Sequence, residues 1–150
     1  MVMCKFLKDI LKASDKGLEA PDSNIEISNI ELYGIIKARF PDMPDIFLSD
    51  QNFLLCNDDD ITSFLTQDVT NKYKYVTEAY DCDNFSYHLM GQFSIPGWAR
   101  LAFGIIWTDK HALNCFVNED KELYLVEPQT DEILKNFKAW MGNTPRFIIM

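Results

Sequence analysis

A cysteine, a histidine and a carboxylate occur in that order within a short span. They are Cys82 in Tyr80-Asp81-Cys82-Asp83-Asn84-Phe85, His111 in His111-Ala112-Leu113-Asn114, and Glu127 in Glu127-Pro128-Gln129. These residue types are the parts of a thiol nucleophile, its general base and the base's orienter. Order alone is weak evidence. Each residue, however, falls at the end of a predicted secondary element, where a side chain is both fixed and reachable.

The elements must bring the three together. Asp81 is a good N-cap, so Cys82 takes the first position of a helix predicted over Asp81 to Met90. A helix N-terminus favours thiolate, while the neighbouring Asp81 and Asp83 charges oppose it. His111 to Asn118 and Lys121 to Glu127 read as two strands joined by a turn at Asn118-Glu119-Asp120. A three-residue loop there pairs Val117 with Lys121, Cys115 with Leu123, Leu113 with Leu125, and His111 with Glu127. Alternation places all of these on one sheet face. His111 and Glu127 are then expected about 5 Å apart at Cβ, at the open end of an apolar surface. Each would supply the partner the other needs.

The remaining chain is read as scaffold. Met1 to Ala13 alternates Phe6, Leu7, Ile10 and Leu11 with Lys5, Lys8 and Lys12, the pattern of an amphipathic helix. A polar connector follows to residue 28. Ile30 to Arg39 suits a short helix, stopped by Pro41 and Pro44. Asp58, Asp59 and Asp60 precede Ile61, Phe64 and Leu65, where carboxylates cap a helix and complement its dipole. Ser94-Ile95-Pro96-Gly97 turns the chain into a buried-looking strand over Ala99 to Trp107. Thr130 to Trp140 holds a short strand or helix, and Arg146 to Met150 is a last strand. Helices followed by an antiparallel meander predict an α+β fold.

Bulk properties narrow the function. A length of 150 residues fits one domain, residues 1–150, with a core at 47–132. The formal charge of −9 opposes nucleic-acid binding, because phosphates would be repelled. No stretch approaches the roughly 20 apolar residues that span a bilayer. The N-terminus lacks a signal peptide's apolar run and cleavage site, which predicts a cytoplasmic chain with reduced thiols. Cys4, Cys56, Cys82 and Cys115 form no CxxC pair. Cys4, Cys56 and Cys115 read as small buried hydrophobes. His88, within a helix, reads as exposed or structural.

A helix opening on Asp-Cys-Asp-x-Phe, a strand opening on His-Ala-Leu-Asn and a following Val-Glu-Pro-Gln resemble the papain-like cysteine peptidases. They are most similar to the catalytic domain at the C-terminus of the fairy-ring mushroom agglutinin and its bacterial and phage relatives. The resemblance spans about Phe47 to Glu132. It implies a papain-like fold in which N-terminal helices pack on an antiparallel sheet. It also implies Cys82 as nucleophile, His111 as base and acid, Glu127 as orienter, and a calcium requirement. No oxyanion-hole glutamine precedes Cys82, so Gln129 is the candidate second donor beside the Cys82 N–H. Asp81 and Asp83 are candidate calcium ligands, since hard oxygens favour that ion. The agglutinin's sugar binding is not carried over, because no lectin domain is present. The expected protein is a monomeric or small oligomeric thiol hydrolase of peptide or peptide-like amides. The alternatives are a non-catalytic binding module on the same scaffold, or an acyl transferase or deamidase using the same three residues.

Overall fold

The computed structural model describes residues 20–136 and 143–150. The expected N-terminal helix over Met1 to Ala13, Cys4 and Trp140 all lie outside those residues. The elements are β1 (Glu26–Ser28), α1 (Asn29–Arg39), β2 (Asp45–Phe47), β3 (Asn52–Leu54), α2 (Asp58–Gln67) and a 3-10 turn (Thr70–Lys72). They continue as α3 (Cys82–Phe93), β4 (Phe103–Thr108), β5 (Ala112–Val117), β6 (Leu123–Glu127), β7 (Glu132–Leu134) and β8 (Pro145–Ile149).

Local chemistry sets the helix ends. Ser28 caps α1 in a reciprocal box with Glu31, each side chain bonding the other's backbone N–H. Asn57, rather than the aspartates after it, caps α2 by accepting the Asp59 N–H. Asp58, Asp59 and Asp60 instead occupy its first turn, where the dipole favours them. At α3 the Asn84 side chain accepts the Asp81 N–H, and Asp81 is extended, as a cap residue must be.

The main sheet runs β2-β8-β4-β5-β6-β7, and β1 pairs with β3 in a separate ribbon. The fold is α+β, but the sheet is mixed rather than purely antiparallel, because β2 lies parallel to β8. Both faces of its centre are covered. Leu113, Cys115, Val117, Leu123 and Leu125 pack with Leu32 and Ile36 of α1 on one side. Phe103, Phe116 and Val126 pack with Ile61 and Phe64 of α2 and Leu89 and Phe93 of α3 on the other. Every residue of β5 is therefore buried.

The hairpin register differs from the sequence expectation by two residues. Cys115 faces Leu125, and Val117 faces Leu123. The loop is Glu119-Asp120-Lys121, closed by Asn118 and Glu122. Lys121 adopts φ 61°, the left-handed residue that ends a three-residue hairpin loop. A shift of two keeps each side chain on its expected face, so His111 and Glu127 become diagonal instead of direct neighbours.

Candidate functional site

Three elements meet at the β5 entry. The β4–β5 turn is held by the Thr108 hydroxyl, which accepts the His111 N–H at 2.8 Å and bonds Asn143 Oδ1 at 2.7 Å. The turn fixes the backbone of His111. Its ring Nε2 lies 3.0 Å from Glu127 Oε2, with the Glu127 side chain only 9% exposed. Glu127 Oε1 accepts the backbone and side-chain N–H groups of Gln129, both at 3.3 Å. Gln129 thus bears on Glu127.

Cys82 reaches the same corner from α3. Its sulfur accepts the backbone N–H of Ala112, the residue after His111. Asn114 ties the layers together, donating from Nδ2 to the carbonyls of Ser86 in α3 and Gly104 in β4. Electrostatics at the thiol act in opposite directions. Burial pushes the Cys82 thiol up, with Asp81 and Asp83 adding to the rise, while the N–H groups of Ala112 and Asp83 oppose it. The balance of these influences is an upward one, and a thiol nucleophile depends on its thiolate. Cys56 and Cys115 have no exposed surface and burial pushes both upward, as expected for structural thiols.

Asp81, Cys82 and Asp83 present ligand atoms within 4.8 Å of one another. A hydrogen bond that protonated Asp83 donates to the Asp81 carboxylate raises Asp83, followed by burial and Asp81's charge. Asp81 Oδ2 also accepts the Glu78 N–H at 3.2 Å. His88 is structural, with its Nδ1 2.7 Å from the Tyr80 hydroxyl.

Beside this corner lies a feature that the sequence pattern concealed. Tyr87 on α3, Trp107 at the end of β4, Phe147 on β8 and Phe47 on β2 form a continuous row. Neighbouring ring centroids lie 6.1, 5.5 and 6.5 Å apart along that order. Trp107 and Phe147 are stacked at 17°, a consequence of their direct pairing across the β4–β8 ladder. Tyr87 and Phe47 are 52% and 56% exposed. Alternation had placed Trp107 in a buried strand. It is only half-buried, because α3 covers the sheet up to Tyr87 and nothing among the described residues covers β8 and β2 beyond it.

No protein-family profile and no curated protein matches the chain. Solved structures do. A PSL1a–E64 complex aligns with TM-score 0.72 and 22% identity over 85% of this chain and 51% of that one. The Polyporus squamosus lectin bound to a human-type influenza-binding epitope, Neu5Aca2-6Galb1-4GlcNAc, aligns with TM-score 0.68 and 20% identity over 85% and 50%. The fold is shared with about half of each of these structures. The chain spans about half the length of these neighbours.

These matches correct the papain-like peptidase expectation and the hydrolase, thiol-protease and peptide-substrate readings attached to it only as far as one neighbour is described as a lectin; at 20–22% identity the likeness shows the fold alone. Among the described residues no helix is long and apolar enough to cross a membrane.

Proposed function

We propose that the chain is a non-catalytic binding module whose ligand is a carbohydrate. The observation that carries this is the aromatic row Tyr87–Trp107–Phe147–Phe47. A pyranose presents apolar C–H groups on one face and hydroxyls around its rim. Aromatic rings in file match the first, and polar groups at one end match the second. Tyr87, at one end of the row, lies on α3, whose first turn carries Asp83 after the Asp81 cap. The description of the neighbouring lectin as bound to a trisaccharide supports the same ligand class. The chain's charge of −9 favours a neutral glycan over a sialylated one, since a carboxylate would approach against the field.

Calorimetry with Galb1-4GlcNAc and its sialylated form tests this. The neutral disaccharide is expected to bind at least as tightly. Trp107→Ala should weaken it by about tenfold or more, the loss of roughly 1.4 kcal/mol of stacking. Unchanged affinity in Trp107→Ala, with the fold intact, rejects the row as the site.

A second reading is favoured by the His111–Glu127 bond and by Cys82 meeting the Ala112 N–H beside it. It is acyl transfer through a Cys82 thioester: Cys82 gives its proton to His111 and bonds the acyl carbon. The leaving group takes that proton; an acceptor other than water then gives its own proton to His111 and displaces the sulfur, which takes the proton back as the free thiol. Acyl adducts on Cys82 by mass spectrometry, absent in His111→Ala, would favour it over pure binding.

A further inference from the structure

A cleft of about 430 Å³ opens where the end of α1, the β5–β6 loop and the end of β7 come together. It lies on the sheet face that α1 covers, whereas the aromatic row begins on α3. Ile35 and Ala38 of α1 and Leu123 of β6 give it an apolar wall, and Arg39, Lys121 and Lys135 line it with charge. Glu122 is the one acid among the described residues that line it. Acids outnumber bases 23 to 14 in the whole chain, so three bases against one acid reverse the composition there.

The cations are held without being fully neutralised. Glu122 serves Lys135, whose Nζ lies 2.9 and 2.7 Å from its two oxygens, and Glu122 Oε2 also accepts the Tyr124 hydroxyl at 2.9 Å. The Lys135 bond, then the Tyr124 bond, holds the Glu122 carboxyl below the usual carboxylate range. Arg39 Nη2 donates instead to two neutral oxygens, the Lys135 carbonyl at 3.0 Å and Asn136 Oδ1 at 2.6 Å. Its guanidinium also lies 5.1 Å from the Phe40 ring centroid. These contacts fix the guanidinium and leave its charge in place. Lys121 Nζ is 3.9 Å from Glu31 Oε1, with both side chains more than half exposed, a contact worth little. The α1 C-terminus does not account for the set. Lys37 serves the chain there, donating to the Pro41 and Met43 carbonyls. Lys121 is the clearest sign of a purpose beyond the fold. Its φ of 61° suits glycine or asparagine, so lysine has no backbone advantage at that position.

We propose that this cleft binds a small organic carboxylate, with its charged end on Arg39 and Lys121 and its apolar body on Ile35, Ala38 and Leu123. A volume of about 430 Å³ falls within the range of small-molecule sites. A planar carboxylate matches the fork of a guanidinium held in one orientation. Inorganic phosphate would answer the cations and leave the apolar wall in water, and a neutral apolar molecule would do the reverse. The inference is independent of the carbohydrate reading, which uses the other face of the sheet.

Calorimetry of the full chain with sodium octanoate, inorganic phosphate and hexanol tests the cleft. Octanoate is expected to bind at least about tenfold more tightly than either of the others, and more weakly as salt rises. Arg39→Met keeps an apolar stem and removes the charge; it should weaken octanoate by about fivefold or more. Lys121→Asn should weaken octanoate by at least about threefold while the melting temperature holds or rises, because asparagine tolerates the left-handed backbone. A lysine retained only for the fold could not give that pair of results. Lys74→Asn, which removes a charge outside the cleft, should change the affinity by less than about twofold. Absence of heat at millimolar octanoate, or binding that Arg39→Met and Lys121→Asn leave unchanged, overturns the proposal. Phosphate binding as tightly as octanoate overturns it too, since the apolar wall then takes no part.

Discussion

Gly104 is where the aromatic row can be disturbed without touching any ring. It sits in β4 opposite the end of β8. An ideal Cβ built on it would lie 2.1 Å from the Ile149 carbonyl oxygen, 2.5 Å from Met150 Cγ and 3.0 Å from the Ile149 carbonyl carbon. The methionine side chain can turn aside. The carbonyl cannot, because it belongs to the β4–β8 ladder in which Ile105 faces Ile149 and Trp107 faces Phe147. Relieving the contact requires β8 to retreat by about 1 Å, at an overpacking cost of about 1–3 kcal/mol. Loss of one or two ladder hydrogen bonds adds about 1 kcal/mol each. Gly104→Ala should therefore destabilise the fold by about 3 kcal/mol and lower its melting temperature by roughly 10 °C. Gly34 and Gly91 are the controls, since nothing lies within 4 Å of a Cβ at either. Both are in helices, where Ala should stabilise by about 0.5–1 kcal/mol. Urea unfolding of the three variants measures this directly. A Gly104→Ala midpoint matching that of wild type would refute the β4–β8 packing and the ring stack that depends on it.

Iodoacetamide should label Cys82 far faster than Cys56 or Cys115, because the latter two have no exposed surface. With its thiol raised, the Cys82 rate should keep climbing above pH 9; a plateau below pH 7 would show an activated thiolate. Burial, with Asp68's charge, pushes the Asp131 carboxyl up to about 6 against the pull of Lys72. Its native state thus favours the protonated form. The associated stability is full below about pH 3.9, the ordinary carboxylate value, and is lost as pH rises through 6. In EDTA at pH 7.5, Asp131→Asn should accordingly melt higher than wild type, with the advantage gone by pH 4; a lower melt at pH 7.5 would contradict the buried charge. Thr108→Val removes the hydroxyl that accepts the His111 N–H, and should cost about 1–2 kcal/mol in urea unfolding. No measurable loss would mean that the turn is held by other contacts.

How far the sequence revealed this molecule depended on the range of each interaction. Helices α1, α2 and α3 were legible because periodicity and caps are local, although Asn57 displaced the aspartates as the α2 cap. The face shared by His111 and Glu127 survived a two-residue register error, since strand parity is preserved by an even shift. Strands β1, β2 and β3 have three residues each and carry too little pattern to read. The parallel pairing of β2 with β8 joins residues about a hundred positions apart, and no local signal announces it. The aromatic row was hidden for the same reason, as Phe47, Tyr87, Trp107 and Phe147 come from four separate elements. The ionisation of Cys82 could not be judged from its helix position alone. Burial is the leading influence on it, the flanking carboxylates add to it, and only the packed structure shows the burial.

The central claim is that a neutral glycan lies along the aromatic row. An amide-resolved NMR titration of the full chain with Galb1-4GlcNAc tests it most directly. The account predicts shifts concentrated at Tyr87, Trp107, Phe147 and Phe47, with Leu32 and Leu123 on the opposite face of the sheet unmoved. No shifts at saturating disaccharide, or shifts confined to the α1 side, would contradict it.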